Sequence, residues 1–298
     1  MKKINYLNAG CGSKFHPAWT NIDMGSNSPY VRAYNFLNGF PYEDNQFDVV
    51  YHSQVLEHFP KEKAGDFLIE CLRVLRPGGI LRVVVPDLEN IASEYLKLLH
   101  ENLRAPTEQS SANYDWMLLE MYDQTVRNHS GGQMAAFLTQ PELPNEQFII
   151  ERIGYVGQSL INSVRANINP ITPSLQTANP VITAAKPTVS PAYLKRVARY
   201  MKRSLLKFLQ PVKNPHGTEN ETEASRIGRF RLAGEVHMWM YDQFSLTRLL
   251  THAGFEKIVR LDPYNSEIAD WAVYELDVKN GMVFDPTSLF IEARKPLL

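Results

Sequence analysis

Two cysteines in 298 residues, Cys11 and Cys71, cannot build a disulfide framework. Their scarcity excludes the small stapled scaffolds of the extracellular space and points to a reducing compartment. No stretch approaches the ~18–20 consecutive apolar residues of a membrane-spanning helix. Met1-Lys2-Lys3 leads directly into a strand pattern without a signal-peptide apolar region, so the expected location is the cytoplasm. An excess of charge of one sign is missing too, since the formal net charge is −1. That balance hides an asymmetry: residues 152–218 hold ten Lys/Arg and no Asp/Glu, so all the acid lies elsewhere. The eight histidines are scattered and none stands in a close-spaced set with cysteines or carboxylates, so no metal site is expected. No internal repeat is visible.

What is present is concentrated near the N-terminus. An apolar run, Ile4 to Leu7, enters Asn8-Ala9-Gly10-Cys11-Gly12-Ser13, and a second short run, Trp19 to Ile22, ends on Asp23. A strand, a glycine loop and an acid after the second strand are the means by which a Rossmann-like half-fold holds a nucleoside. The glycines let backbone approach the ligand, and the acid accepts hydrogen bonds from ribose hydroxyls. A dinucleotide fingerprint needs a third glycine three residues after the second, and that place is held by Phe15. The interval to the acid is also far shorter than the usual ~20 residues. Both departures lead away from NAD and toward S-adenosylmethionine (SAM), which has no pyrophosphate to seat on a helix N-terminus.

The first ~87 residues alternate short apolar runs with helical or loop segments, as a parallel α/β sheet does. Strands are expected at 4–8, 20–23, 31–34, 47–52 and 80–85, with a helix over 61–75 ended by Pro77-Gly78-Gly79. The alternation then stops for about 150 residues. Helices are expected there at 88–104, 112–126, 146–167 and 193–209, with a Pro/Thr/Ser-rich loop over 169–191. A helix at 243–252 and strands at 255–261 and 288–293 resume the α/β pattern. The expectation is one domain with its core in 1–87 and 234–298, and with 88–233 a helical insertion forming a substrate-binding lid.

Four motifs in series resemble class I SAM-dependent methyltransferases of the type 11-like group. They are Leu7-Asn8-Ala9-Gly10-Cys11-Gly12, the fourth-strand run Phe47 to His58 with its Val55-Leu56-Glu57-His58, the turn Arg73-Val74-Leu75-Arg76-Pro77-Gly78-Gly79, and Leu249 to Phe255. The resemblance covers about residues 4–87 and 234–295. It implies a Rossmann-like α/β fold with a seven-stranded sheet, the last strand antiparallel, and a large helical insertion between strands five and six. It implies SAM as cofactor and S-adenosylhomocysteine as product. Gly10 and Gly12 would approach the amino-acid part of SAM, Asp23 would bind the ribose, Asn35 would lie near the adenine, and Ser53 and Gln54 would line the methionine end. Asn8, Cys11, Met24 and Phe36 complete the expected cofactor set. Asn8 departs from the acid that often opens the first motif, and the first helix is compressed to a turn. The Gly-Cys-Gly and Trp19-x-Asn21-x-Asp23 arrangement resembles a bacterial subgroup often found with polysaccharide and cell-surface glycan genes.

Methyl transfer from SAM is a displacement at carbon, and a hydroxyl acceptor needs a base. The candidates are His237 and Tyr241, in the segment that leads back to the sheet, His129 in a glycine-flanked loop, and Asp87 after the fifth strand. Asp87 reads equally as a helix cap. His58 reads as orienting the turn after strand four, and Asp242 as an N-cap. The basic amphipathic helix 193–209 has three readings: packing on the core, lying on an anionic membrane surface, or touching RNA, the last disfavoured by the acid balance. The expected partners are thus a glycan or small-molecule acceptor, with peripheral membrane contact as an alternative and no nucleic acid. The leading expectation is methylation of a hydroxyl on a sugar or glycan intermediate. A small natural product as acceptor, or a SAM-binding protein without catalysis, stays open.

Overall fold

The computed structural model describes residues 4–26, 28–36, 39–140, 142–168 and 222–297. The expected helix 193–209 and loop 169–191 lie outside the described residues. Seven strands form one sheet: β1 (Tyr6–Ala9), β2 (Thr20–Asp23), β3 (Val31–Ala33), β4 (Phe47–Ser53), β5 (Leu75–Pro86), β6 (Glu256–Leu261) and β9 (Ser288–Arg294). Their order is β3-β2-β1-β4-β5-β9-β6. The first five strands are parallel, and β9 runs antiparallel to both β5 and β6. This is the seven-stranded α/β sheet that the motif resemblance implies. The order reverses between β1 and β4, and open α/β sheets bind ligands beyond the carboxyl ends of the strands at such a reversal.

One face of the sheet is covered by α1 (Lys61–Val74) and α7 (Gln243–His252). Ala64, Phe67, Leu68, Cys71 and Val74 recur at helical spacing and are buried against Leu7, Val50, Leu81 and Val83. Asp242 accepts from Ser245 N and Ser245 returns the bond, which starts α7 with a capping box. Among the described residues the other face carries no such helix pair. It is covered by residues 262–287, which include the two-stranded β7 (Val278–Lys279) and β8 (Met282–Val283). Ile268, Trp271, Leu276 and Val283 pack there with Trp19, Tyr51 and Phe290. Under this cover lies a fully buried cation. Arg82 donates to Asp277 at 2.8 Å and to Glu292 at 2.8 Å, and its guanidinium lies over the Trp271 ring. A central-strand arginine is tolerable here because two carboxylates and two backbone carbonyls satisfy it.

Between β5 and β6 lie α2 (Leu88–Arg104), α3 (Glu108–Val126), α4 (Gly132–Leu138), α5 (Glu146–Ile168) and α6 (Glu223–Arg231). Helix α3 begins four residues earlier than expected, because Thr107 and Ser110 form a capping box. Helix α5 is broken at Gly154 (φ 50°, ψ −136°). Helices α4 and α6 were not read from the sequence; each is under ten residues, too short to show a convincing period. These helices have their own core of Ile91, Leu98, Trp116, Met117, Leu138, Ile149 and Ile161. Among the described residues no helix is long and apolar enough to cross a membrane.

Candidate active site

The loop after β1 is held by backbone and amides rather than by a helix. Gly10 N and Cys11 N both donate to the Ile22 carbonyl, at 2.9 and 3.2 Å. Asn8 is buried and its amide donates to the Lys14 carbonyl at 2.8 Å and to Asn21 at 3.2 Å. An acid at position 8 would put a carboxylate against that carbonyl, which explains the amide. Asn21 donates in turn to the carbonyls of His16, Trp19 and Tyr30. The two amides thus replace the missing first helix.

Within this loop the two glycines have different reasons. Gly10 (φ +66°) lies so close to Val55 that a Cβ would meet its methyl at 2.4 Å. Gly12 (φ +51°) faces open space, with nothing within 4 Å of a built Cβ. Both conformations favour glycine, and at Gly12 the space beside the Cα is open. Asp23, at the end of β2, accepts from Gly12 N at 2.8 Å and Gly25 N at 3.2 Å. Cys11 is buried, and burial together with Asp23 pushes its thiol up to about 12, so it is inert as a nucleophile. Met24 is exposed, as is Asn35. Phe36 is buried among Phe40 and Phe67. Ser53 accepts from Lys14 Nζ at 3.1 Å, and the same ammonium pairs with Asp285 at 3.0 Å. The placement of Lys14 between Ser53 and Asp285 was not readable from the sequence, since nothing in the loop's pattern distinguishes it from a solvated lysine.

Gln54 occupies the left-handed region at φ 56°, which is costly for a residue with a Cβ and is held by Gln54 N to Val84 O and by its amide to Ser288. Its side chain lines a cavity of about 220 Å³. The floor is Gln54, Pro86, Asp87 and Ser288 from the strand ends, and the walls are Ile91, Met134, Ala135, Leu138, Ile153, Val156, Leu160 and Val164 from the helices between β5 and β6. Two charged wall residues are engaged with each other, since Arg152 grips Glu120 at 2.6 Å, and Glu120 also takes the Trp116 indole N–H. Arg127 and Asp285 also line the cavity, paired with Asp123 and Lys14, and most of the remaining lining is apolar.

The four candidate bases fall in three places. Asp87 is buried, accepts from Glu89 N at the start of α2 and pairs with Arg260 at 2.8 Å. His129 is exposed, with its ring against the Ser130 carbonyl. His237 and Tyr241 are buried beside Glu57. The returning segment is tied there by Met238 N to Glu57 O at 2.7 Å and His237 N to Gln124 O at 2.9 Å. His237 Nε2 meets the Gln124 amide nitrogen at 3.1 Å, so that ring nitrogen carries a lone pair. Burial holds His237 well below the usual histidine range and pushes the Glu57 carboxyl up to about 8. Burial also raises the Tyr241 phenol, and the Glu57 charge adds to it. Gln124 lines the cavity and touches His237, and so joins the two.

A family model described as a methyltransferase domain matches residues 24–83. No curated protein matches the chain. Among solved structures, the chain is similar to the 1,6-didemethyltoxoflavin-N1-methyltransferase of Burkholderia thailandensis, at 21% identity over 28% of this chain and 44% of that one, with a TM-score of 0.23. It is similar to the N-methyltransferase NodS of Bradyrhizobium japonicum at 18% identity, over 28% of this chain and 53% of that one, with a TM-score of 0.24. The CurJ carbon methyltransferase aligns over 99% of this chain and 49% of its own, at 11% identity and a TM-score of 0.35. The chain therefore spans less than two thirds of the length of each.

Proposed function

We propose that this protein transfers a methyl group from SAM to a small acceptor with an apolar body. One observation carries the reading: the glycine loop and the apolar cavity meet at the end of β4, where Ser53 is bonded to Lys14 of the loop and Gln54 lines the cavity. The open face of Gly12 and the carboxylate of Asp23 fit a nucleoside there. When bound, the cofactor's sulfonium supplies the electrophilic methyl and its own leaving group. The chain's residues do the rest. Asp23 takes the ribose hydroxyls in place of Gly12 N, and Asn35 and Met24 flank the adenine side. Lys14 and Ser53 hold the carboxylate end. Phe36 backs the loop from the core, while Asn8 and Cys11 keep its shape. Gln54, fixed by Ser288, orients the acceptor.

The apolar walls exclude water and favour an acceptor with a hydrophobic body over a bare sugar. A glycan would enter this site through an apolar aglycone or lipid. Helices α2 to α5 then form the lid over the acceptor. Among the candidate bases Asp87 is engaged with α2 and Arg260 and His129 faces solvent, so the pair His237 and Tyr241 is the one joined to the cavity, through Gln124.

Calorimetric titration with S-adenosylhomocysteine tests the cofactor half. Wild type binds, and Asp23→Ala weakens binding at least about tenfold, the loss of one charged hydrogen-bonding group. Equal binding by the two proteins, or none by wild type, refutes the placement. Release of S-adenosylhomocysteine with a panel of apolar hydroxy and amino acceptors separates an enzyme from a SAM-binding protein that does not turn over.

A further inference from the structure

The fold assembles a cluster that no local spacing announces. Glu57 and His58 follow β4, and His237 arrives from the far side of the helices between β5 and β6. The three side chains offer one ligand atom each, all within 4.8 Å of one another. Glu57 Oε1 is 3.9 Å from His58 Nε2 and 4.0 Å from His237 Nε2. Those separations are too long for hydrogen bonds. They suit three ligands around an ion: its centre would lie about 2.5 Å from each, against about 2.0–2.2 Å for zinc bonds to imidazole and carboxylate, a contraction of a few tenths of an ångström.

Three features point to an occupant rather than to chance packing. Glu57 is completely buried, and neither of its carboxylate oxygens meets a partner at full hydrogen-bond geometry; only the backbone N–H groups of Val55 and Glu57 itself lie close enough to favour its charge, and burial outweighs them. The Tyr241 hydroxyl, buried and close enough to feel the Glu57 charge, also lacks one. In folded proteins the large majority of buried polar groups have a partner, and here three orphaned oxygens, two of Glu57 and one of Tyr241, fall in one cluster. His58 Nδ1 stands 3.2 Å from the Val236 carbonyl, so its N–H donates there and its Nε2 lone pair faces Glu57. That backbone tether is how metal-ligating histidines are oriented.

We infer that Glu57, His58 and His237 form a binding site for a divalent first-row transition ion of the zinc type. Two imidazoles and one carboxylate are a three-ligand set that leaves a further position open. The ion takes the His237 lone pair now met by Gln124, and the Gln124 amide turns toward the cavity it lines. Resting on the methyl-transfer reading, the open position would lower the proton affinity of an acceptor hydroxyl.

The test uses the full chain, stripped with chelator and titrated with Co²⁺ and Zn²⁺ in the absence of cofactor. The expected result is one equivalent of Co²⁺ with the visible spectrum of a low-coordinate site, displaced by Zn²⁺. Glu57→Gln and His237→Ala should each weaken binding by at least about a hundredfold, more than the 10- to 100-fold typical of second-shell changes. Absence of the spectrum in wild type overturns the site without reference to any variant. Undiminished binding in both variants overturns it as well, placing the ion elsewhere. S-adenosylhomocysteine titration of the metal-free protein is run in parallel. Metal binding without cofactor binding refutes methyl transfer alone, and the converse refutes the metal site alone.

Discussion

Alanine at Gly10 and alanine at Gly12 are the same substitution two residues apart, and the structure predicts opposite readouts. At Gly10 the cost has two parts. A left-handed φ of +66° costs an L-residue about 1–2 kcal/mol. The new Cβ also meets a Val55 methyl at 2.4 Å. That contact is with a buried side chain in the core beneath the loop, so relieving it costs about a further 1–3 kcal/mol. The sum, roughly 2–5 kcal/mol, lowers Tm by about 4–15 °C for a chain of this length. At Gly12 only the backbone cost applies, about 1–2 kcal/mol, because nothing stands within 4 Å of the Cβ. The methyl instead enters the space assigned to the cofactor. Gly12→Ala should therefore melt within a few degrees of wild type and lose S-adenosylhomocysteine affinity at least tenfold, roughly 1.4 kcal/mol. Thermal unfolding and calorimetry on both variants decide it. Adding Val55→Ala to Gly10→Ala should recover the steric share and leave the backbone share. The reasoning fails if Gly10→Ala is as stable as Gly12→Ala, or if Gly12→Ala binds as well as wild type.

Three further outcomes follow from the buried groups and the cavity. Arg82→Ala strands Asp277 and Glu292 without their counter-ion and should cost about 3–5 kcal/mol in denaturant unfolding; a loss below about 1 kcal/mol would show the triad to be dispensable. His52 is fully buried, neither ring nitrogen has a partner, and burial pulls its pKa down to about 3. Its neutral form is favoured in the fold, so its share of stability is whole above about pH 6.5 and is lost as pH falls toward 3, by at most about 1.4 kcal/mol per unit. His52→Phe, which keeps the ring against Phe67, should flatten that acid slope, and an unchanged slope between pH 6 and 4 would refute the assignment. Ala135→Phe fills part of the cavity and should depress kcat/KM for an apolar acceptor more than tenfold while S-adenosylhomocysteine affinity stays put; equal turnover would place the acceptor elsewhere.

Much of the fold was legible because its signals are local. The strands at 20–23, 47–53 and 256–261 and the helices at 61–74, 88–104 and 243–252 follow from apolar period, from Pro and Gly punctuation and from capping residues, all within a few positions. The glycine loop and its link to Asp23 were legible for the same reason, since glycines and acid stand within one short β-loop-β unit. Helices α4 and α6 lacked the length to show a period. The cover over the second face was missed because residues 262–287 pack as irregular chain around Trp271 and leave no periodic trace.

The sequence by itself thus determined the strands of the main sheet, its parallel half and the glycine loop. Tertiary structure decided what lies far apart in the chain and close in space. It seated Arg82 between Asp277 and Glu292, set Lys14 against Ser53 and Asp285, and carried His237 to Glu57 and His58 across the 178 residues that separate His58 from His237. Periodicity records which face of an element is buried, not which element it meets. The meeting is fixed by the sheet order and by the return of the chain to α7, so a cluster with no signature in spacing forms where the β4 end and the returning segment converge.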